Sequence, residues 1–319
     1  MSKISIIIPV YNQKEFVGRA IKSALDQSHG DKEVIVVDDG STDDPQSVLD
    51  SFGSDIVVVH QENRGLAGAR NRGIEKSEGE VLQFLDADDF LHRDKLRLQL
   101  AFMEEKNAAV SYCEIAQVDN TTGQISLDYV GGLDDPFPRL YNEWHTYPFP
   151  IHALLFSRAV FDAYGQFPED LKASEDRFYL SVLALNKIDF EYFPFIGGFR
   201  TRHEKNMTLN RLHIYRNMVR YYEKIHEYPK AQEYIRNHFI YNRHEMMRAN
   251  LSYMFLKDMA EGLSFLKLSR IKSMLRGQGI SFLFQPIPSD RSSFKGPSLI
   301  MLSLWRRYSR AVFSLLTRK

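Results

Sequence analysis

A single cysteine, Cys113, in 319 residues excludes an intrachain disulfide and accords with a reducing compartment. Within Val110-Ser-Tyr-Cys-Glu-Ile this thiol is expected to fill a strand position, not to act as a nucleophile. Net charge is also absent. The 41 Lys and Arg residues balance 41 Asp and Glu, so no nucleic-acid partner is expected for the surface as a whole. No stretch reaches the ~18 consecutive apolar residues of a membrane-spanning helix. The first apolar run is interrupted by Pro9 and by Asn12-Gln13-Lys14, which is not a signal-peptide pattern. These absences lead to the expectation of a cytoplasmic protein whose membrane contact, if any, is peripheral at the inner face of the plasma membrane. Missing too is a Gly-rich basic loop after the first apolar run, where Pro9-Val-Tyr-Asn-Gln13 stands instead.

What is present is an alternation of short apolar runs and amphipathic stretches over the first 115 or so residues. The pattern predicts strands at 4–10, 33–38, 56–59, 81–85 and 109–113, with helices at 15–27, 45–52, 66–76 and 94–105 between them. Repeated β-α-β units imply a mostly parallel, Rossmann-like sheet flanked by helices and joined by right-handed crossovers. From Asp119 to Pro150 periodicity fades among glycines, prolines, acids and the aromatics Tyr129, Phe137, Tyr141, Trp144 and Tyr147. A segment this long without a period is more often functional than idle. A strand at 151–157 and helices at 159–164 and 177–185 resume the pattern, and a last strand is expected at 198–202. Past Asn210 the chain reads as helix after helix. This divides it into an α/β domain at 1–209 and a helical C-terminal region at 210–319.

In a doubly wound sheet, ligands bind beyond the carboxyl ends of the strands. Two predicted strands end in acid, one in Asp38-Asp39-Gly40-Ser41 and another in Asp86-Ala87-Asp88-Asp89. Such clusters repel each other unless a cation or hydrogen-bond donors lie between them, and Mn2+ or Mg2+ commonly bridges such carboxylates to diphosphates. Turn formation and helix capping are the competing explanation. They suffice for Asp43 and Asp44 ahead of Pro45. They do not account for three acids crowded at 86–89.

These motifs and their order resemble the family-2 glycosyltransferases, inverting enzymes with the GT-A fold. The resemblance spans about Ser5 to Thr208. It rests on Ser5-Ile-Ile-Ile-Pro-Val-Tyr-Asn12, Val34-Ile-Val-Val-Asp-Asp-Gly-Ser-Thr-Asp43, Asn63-Arg-Gly-Leu-Ala-Gly-Ala-Arg-Asn-Arg-Gly73 and Phe84-Leu-Asp-Ala-Asp-Asp89. Further on come Gly165-Gln-Phe-Pro, Ser174-Glu-Asp-Arg-Phe-Tyr-Leu180 and Arg202-His-Glu-Lys-Asn206. By that resemblance Pro9, Tyr11 and Asp39, with Asp38, hold the base and ribose of the donor, and Arg70 lies near it. Asp86 contacts the ribose, Asp88 binds the metal, and His203 completes the metal site, with Asp89 as a supporting residue or helix cap. Glu175 and Asp176 match the catalytic acidic pair, with Asp176 as general base and Ser174 expected to cap the helix. Arg64 and Arg72 are expected on a solvated helix face.

The implied partners are a nucleotide-diphosphate sugar, expected to be a UDP-sugar, and a glycan or lipid-linked acceptor. The implied role is hexosyl transfer in cell-surface polysaccharide biosynthesis. The processive synthases of the family carry Q-x-x-R-W and membrane helices, and this chain has neither, so one or a few additions are expected. Arg177-Phe178 stands where many relatives place Trp or Tyr, which leaves acceptor packing open. A non-catalytic nucleotide-sugar-binding subunit is the alternative, disfavoured by the retained Asp88 and Asp176. A nucleotidyltransferase is disfavoured by the missing phosphate loop.

Toward the C-terminus, Tyr221, Tyr222, Ile225, Phe239, Met246 and Leu251 recur at helical spacing and are expected to form core. Two further stretches, 264–276 and 297–319, set Phe265, Leu268, Leu302 and Trp305 against Lys and Arg, and no acidic residue follows Asp290. Basic amphipathic helices of this kind lie on anionic membranes. Docking on the domain or homodimer contact are the alternatives.

Overall fold

The computed structural model describes residues 2–128, 131–142, 149–204, 206–207 and 211–237. The chain forms two compact units, Met1–Asn210 and Arg211–Lys319.

In the first unit, β1 (Ile4–Val10) is buried at every residue and lies at the centre of a parallel group. It pairs on one side with β2 (Lys32–Asp38), which pairs in turn with β3 (Val57–His60), and on the other with β4 (Val81–Phe84). A strand covered on both faces requires the unbroken apolar run that Ile4-Ser-Ile-Ile-Ile supplies. Val10 lies beside Asp38, and Ile7 beside Phe84. All three strands therefore deliver their carboxyl ends, and the acids that follow them, to one sheet edge.

The helices of this half pack through small residues. α1 (Lys14–Leu25) buries Val17, Ala20, Ile21 and Ala24. α3 (Leu66–Lys76) buries Ala67, Gly68, Ala69 and Gly73. A Cβ on Gly73 would collide with Ile7 Cγ2, a branched side chain held in β1. Gly73→Ala is therefore expected to destabilise the protein by about 1–3 kcal/mol despite the better helix propensity of alanine, read as a lower urea midpoint at unchanged slope.

The second half of the sheet combines both directions. β6 (Val110–Asp119) pairs antiparallel with β8 (Leu154–Ser157), which is antiparallel to β4. On its other side β6 pairs parallel with β9 (Phe190–Arg202), and β9 pairs antiparallel with the two-residue β5 (Phe90–Leu91). The full order is β3-β2-β1-β4-β8-β6-β9-β5, with β7 (Ile125–Asp128) also on β6. Because β5 places Phe90 beside Phe199, the Asp86–Asp89 turn lies against the carboxyl end of β9.

The remaining helices of this unit are α2 (Gln46–Asp50), α4 (Lys95–Lys106), α5 (Pro136–Asn142), α6 (Arg158–Tyr164) and α7 (Glu175–Leu185). Both β6 and β9 extend well past the lengths predicted for them, since each pairs the other along ten residues. A 3-10 turn occupies Ile151–Ala153, so the strand predicted from 151 begins at Leu154. β7 and α5 arise where no period was legible. In β7 the apolar Ile125 and Leu127 are exposed, which inverts the usual pattern. α5 buries Phe137, Leu140 and Tyr141, a helical spacing that is too short to register. Tyr129, Trp144 and Tyr147 lie outside the described residues.

In the second unit, α8 (Arg211–Glu227) and α9 (Pro229–Asn237) bury Tyr221, Tyr222 and Ile225 together with Ala231 and Ile235. Phe239, Met246, Leu251 and the basic stretches at 264–276 and 297–319 lie outside the described residues. Among the described residues no helix is long and apolar enough to cross a membrane.

Candidate active site

At the end of β1, Pro9 is buried and Tyr11 is 48% exposed. Asn12, at φ 54°, turns its side chain back to accept from the Thr42 amide, while its own amide donates to Ser41 Oγ. The loop after β1 is thereby clipped to the loop after β2. Asp43 does serve as a cap, but of α1: its Oδ2 accepts from the Lys14 amide at 2.9 Å.

Asp38 accepts from the Ser41 amide and faces His60 Nδ1 at 3.3 Å. Asp39 is buried, and its two oxygens accept from the amides of Arg64 and Gly65, each at 2.8 Å, and from Gln61 Nε2 at 2.7 Å. The carboxylate thus fixes the loop leading into α3. Gly65 holds φ 86° there, a conformation that a side chain would oppose.

That same loop is tied to the segment preceding α7. Arg64 is not on a helix face. It lies ahead of α3 and forks onto Glu169 with contacts of 2.7 and 2.9 Å, while Lys172 Nζ donates to the Arg64 carbonyl. Asn71 bonds both the amide and the carbonyl of Phe167. Arg72, as expected, stays on the surface with Glu75.

Arg70 is the hinge of the site. Its side chain is 1% exposed, and it donates from one terminal nitrogen to Asp86 Oδ1 and from the other to Glu175 Oε1, each at 2.7 Å. The acidic turn after β4 and the acidic pair at the start of α7 therefore stand one guanidinium apart. One cation cannot serve both carboxylates equally in a buried setting. Burial opposes ionisation of Asp86, but Arg70 outweighs it and holds that carboxyl below its usual value. Burial and the adjacent Asp176 push Glu175 up to about 8, against the pull of Arg70.

Ser174 adopts the left-handed φ of 66°, not the extended backbone of a capping serine. This aims Glu175 inward and leaves Asp176 partly exposed at the first turn of α7. Strained backbone of this kind clusters at functional sites.

Asp88 Oδ2 lies 3.0 Å from His203 Nε2 and 3.1 Å from Asn206 Nδ2. The imidazole is stacked on Phe16 at 4.2 Å between ring centroids. Arg19 steadies the turn from beneath by donating to the Asp88 carbonyl and to Thr201 Oγ1, with its guanidinium over the Phe90 ring. Burial and the neighbouring Asp86 raise the Asp88 carboxyl, and His203 offsets only part of that. Asp89 is buried, accepts from the Thr201 amide, and is pushed well above the usual carboxylate range by burial and by Asp88.

Of the Asp86, Asp88 and Asp89 carboxylates, only Asp86 pairs with a guanidinium among the described residues, an environment that a divalent cation would relieve, and an Asp oxygen beside an imidazole nitrogen is a donor set suited to manganese. A second constellation shares the turn: ligand atoms of Asp86, Asp89 and His152 all lie within 4.8 Å of one another.

His152 was not singled out in the sequence, although a histidine opening an otherwise apolar run (Ile151-His-Ala-Leu) is a signal for a buried polar role. Its Nδ1 is 3.1 Å from Asp89 Oδ2, and burial lowers its pKa to about 3. An unfolded histidine protonates below about 6.5, so the unfolded chain binds a proton between these values that the native chain refuses. Native stability should therefore fall as pH drops from 6.5 toward 3. Between pH 7 and pH 4 the wild type is expected to lose ~3 kcal/mol more than His152→Asn in urea titrations; parallel losses would contradict a neutral buried imidazole. Cys113 is buried in β6, and burial raises its thiol, as its strand position implied.

An acid-ended parallel sheet, a β5–β9 junction carrying a histidine, and an acidic helix start define the GT-A class of sugar-transferring folds. The sequence profile of Glycosyl transferase family 2 matches residues 5–165, and this chain belongs to that family. It is 36% identical over 178 residues to an uncharacterized glycosyltransferase of Rickettsia bellii, a match covering 55% of this chain and 25% of that protein. It is 40% identical over 113 residues to the "Putative teichuronic acid biosynthesis glycosyltransferase TuaG" of Bacillus subtilis, covering 34% of this chain and 45% of that one. The chain thus spans less than half the length of either relative. Among solved structures, S. aureus TarS in complex with UDP-GlcNAc shares the fold at a TM-score of 0.53 and 21% identity, over 69% of this chain and 66% of that one.

Proposed function

We propose that this protein transfers a sugar, with inversion, from a UDP-sugar to a hydroxyl of a glycan or lipid-linked acceptor in cell-surface polysaccharide biosynthesis. The observation that carries this reading is the Arg70 bridge, which holds the acids after β4 and the acids of α7 at one place. The teichuronic acid assignment of TuaG supports a polysaccharide product, and the TarS complexes with UDP and UDP-GlcNAc support a uridine donor.

On this reading Pro9, Tyr11, Asp38 and Asp39 receive the base and ribose, with Asp86 at the ribose. Asp88 and His203 would hold Mn2+ or Mg2+. When bound, the cation neutralises charge on the departing diphosphate. Asp176 takes the proton of the acceptor hydroxyl while that oxygen bonds to the anomeric carbon and the bond to the diphosphate breaks. A single displacement needs one such base, unlike the carboxylate pair of glycosidases. Glu175, held by Arg70, positions the first turn of α7. The basic C-terminal stretches are proposed, from sequence alone, to hold the enzyme at an anionic membrane surface.

A thermal-shift panel of UDP-, GDP- and dTDP-sugars tests the donor. UDP-sugars should raise the melting midpoint with Mn2+ present and lose that effect in EDTA, because a ligand of the native state stabilises it. Equal shifts from all three nucleotides, or none from UDP-sugars, would contradict the assignment.

A further inference from the structure

Besides the acids, the same sheet edge carries an arginine that neither the family motifs nor the ion pairs account for. Phe90 pairs antiparallel with Phe199, so the next residue of β9, Arg200, stands opposite Asp89 of the acidic turn. Successive strand residues alternate faces, and Arg200 therefore shares the face of Gly198. There a Cβ on Gly198 would lie 2.9 Å from His152 Cδ2, which sets this face toward the His152–Asp89 pair.

Two other arginines at the edge, Arg70 and Arg19, are committed. Arg70 is spent on Asp86 and Glu175, and Arg19 on the Asp88 carbonyl, Thr201 and the Phe90 ring. Arg200 is partly exposed and, among the described residues, makes no hydrogen bond or ion pair.

We propose that Arg200 is a further donor-binding residue, whose guanidinium receives the diphosphate of the nucleotide sugar alongside the Asp88–His203 pair. A planar guanidinium presents paired donors that match two phosphate oxygens, and near low-dielectric walls such a contact strengthens as charge accumulates on the leaving group. The position favours the donor over the acceptor. In the β5–β9 pairing Arg200 stands opposite Asp89, in the turn that carries Asp86 and Asp88, on the face turned toward His152.

This inference rests on the proposed uridine-diphosphate donor, and the test separates the two. The full chain, with Mn2+ present, is titrated with UDP, uridine and inorganic pyrophosphate as wild type, Arg200→Gln and Arg200→Lys. Arg200→Gln should weaken UDP and pyrophosphate by about tenfold or more, the scale of one charge-assisted contact, while uridine binding and the melting midpoint hold. Arg200→Lys should recover part of that loss, keeping the charge without the fork. UDP and pyrophosphate binding within about twofold of wild type in Arg200→Gln would overturn the proposal. Should Arg200→Gln fail to fold, Arg200→Lys decides: full wild-type affinity overturns it, and an intermediate loss supports it. If the wild type binds pyrophosphate but neither UDP nor uridine, the donor reading fails while the arginine's role is still read from pyrophosphate.

Discussion

Asp176→Asn is expected to lower transfer turnover by ~10²–10⁴-fold while leaving UDP affinity within about twofold, because the amide keeps the shape of the carboxylate but cannot accept the acceptor's proton. The structure separates the two acids of the pair. Glu175 is 2% exposed and bound to Arg70, whereas Asp176 is partly exposed at the start of α7, on a turn aimed by the left-handed Ser174. Of the two acids, Asp176 is the one with exposed surface, which supports its proposed role as base. Glu175→Gln should therefore lower turnover less than Asp176→Asn, since the amide keeps an oxygen to accept from Arg70 and burial already pushes the Glu175 carboxyl up to about 8. Steady-state kinetics on both variants, with UDP titrations, makes the comparison. Equal turnover in Asp176→Asn and wild type would remove Asp176 from the chemistry.

Arg70→Met should cost about 3–5 kcal/mol of stability, the loss typical of breaking a buried ion pair from one side. Removing the guanidinium strands the Asp86 carboxylate, which Arg70 holds below its usual value, in a buried setting and takes a hydrogen-bond donor from Glu175. For a unit of this size the loss corresponds to a drop of roughly 6–20 °C in melting midpoint. Adding Asp86→Asn to Arg70→Met should restore part of it by removing the stranded charge, a coupling that a double-mutant cycle measures directly. A loss below about 1 kcal/mol in the single variant would mean that the bridge does not hold the two acidic segments together.

Much of the first half was legible in the sequence because local and long-range demands agree there. The apolar run Ile4–Val10 has to be a central strand, and the acids at 38–39 and 86–89 have to follow strands that share a direction. Arg70 illustrates what sequence cannot supply. Its motif position placed it near the donor, but its two partners lie 16 and 105 residues away, and only the fold reveals a bridge. Arg64 misled for the converse reason: in a basic stretch it resembles a solvated face, yet Gly65 breaks the helix before it and sends its side chain to Glu169. His152 was silent as one polar residue in an apolar run, and Arg200 as one of several polar residues at the end of a strand; the β5–β9 pairing and the contact with Asp89 give them meaning. α5 escaped because two turns give too few repeats to distinguish a helix from a loop.

The most direct test of a shared cation-and-diphosphate site is calorimetric binding of UDP to the wild-type chain and to Asp88→Asn, with Mn2+ and with EDTA. The wild type is expected to bind in Mn2+, with binding lost in EDTA and in Asp88→Asn under either condition. UDP binding that is indifferent to both the chelator and the substitution would contradict it.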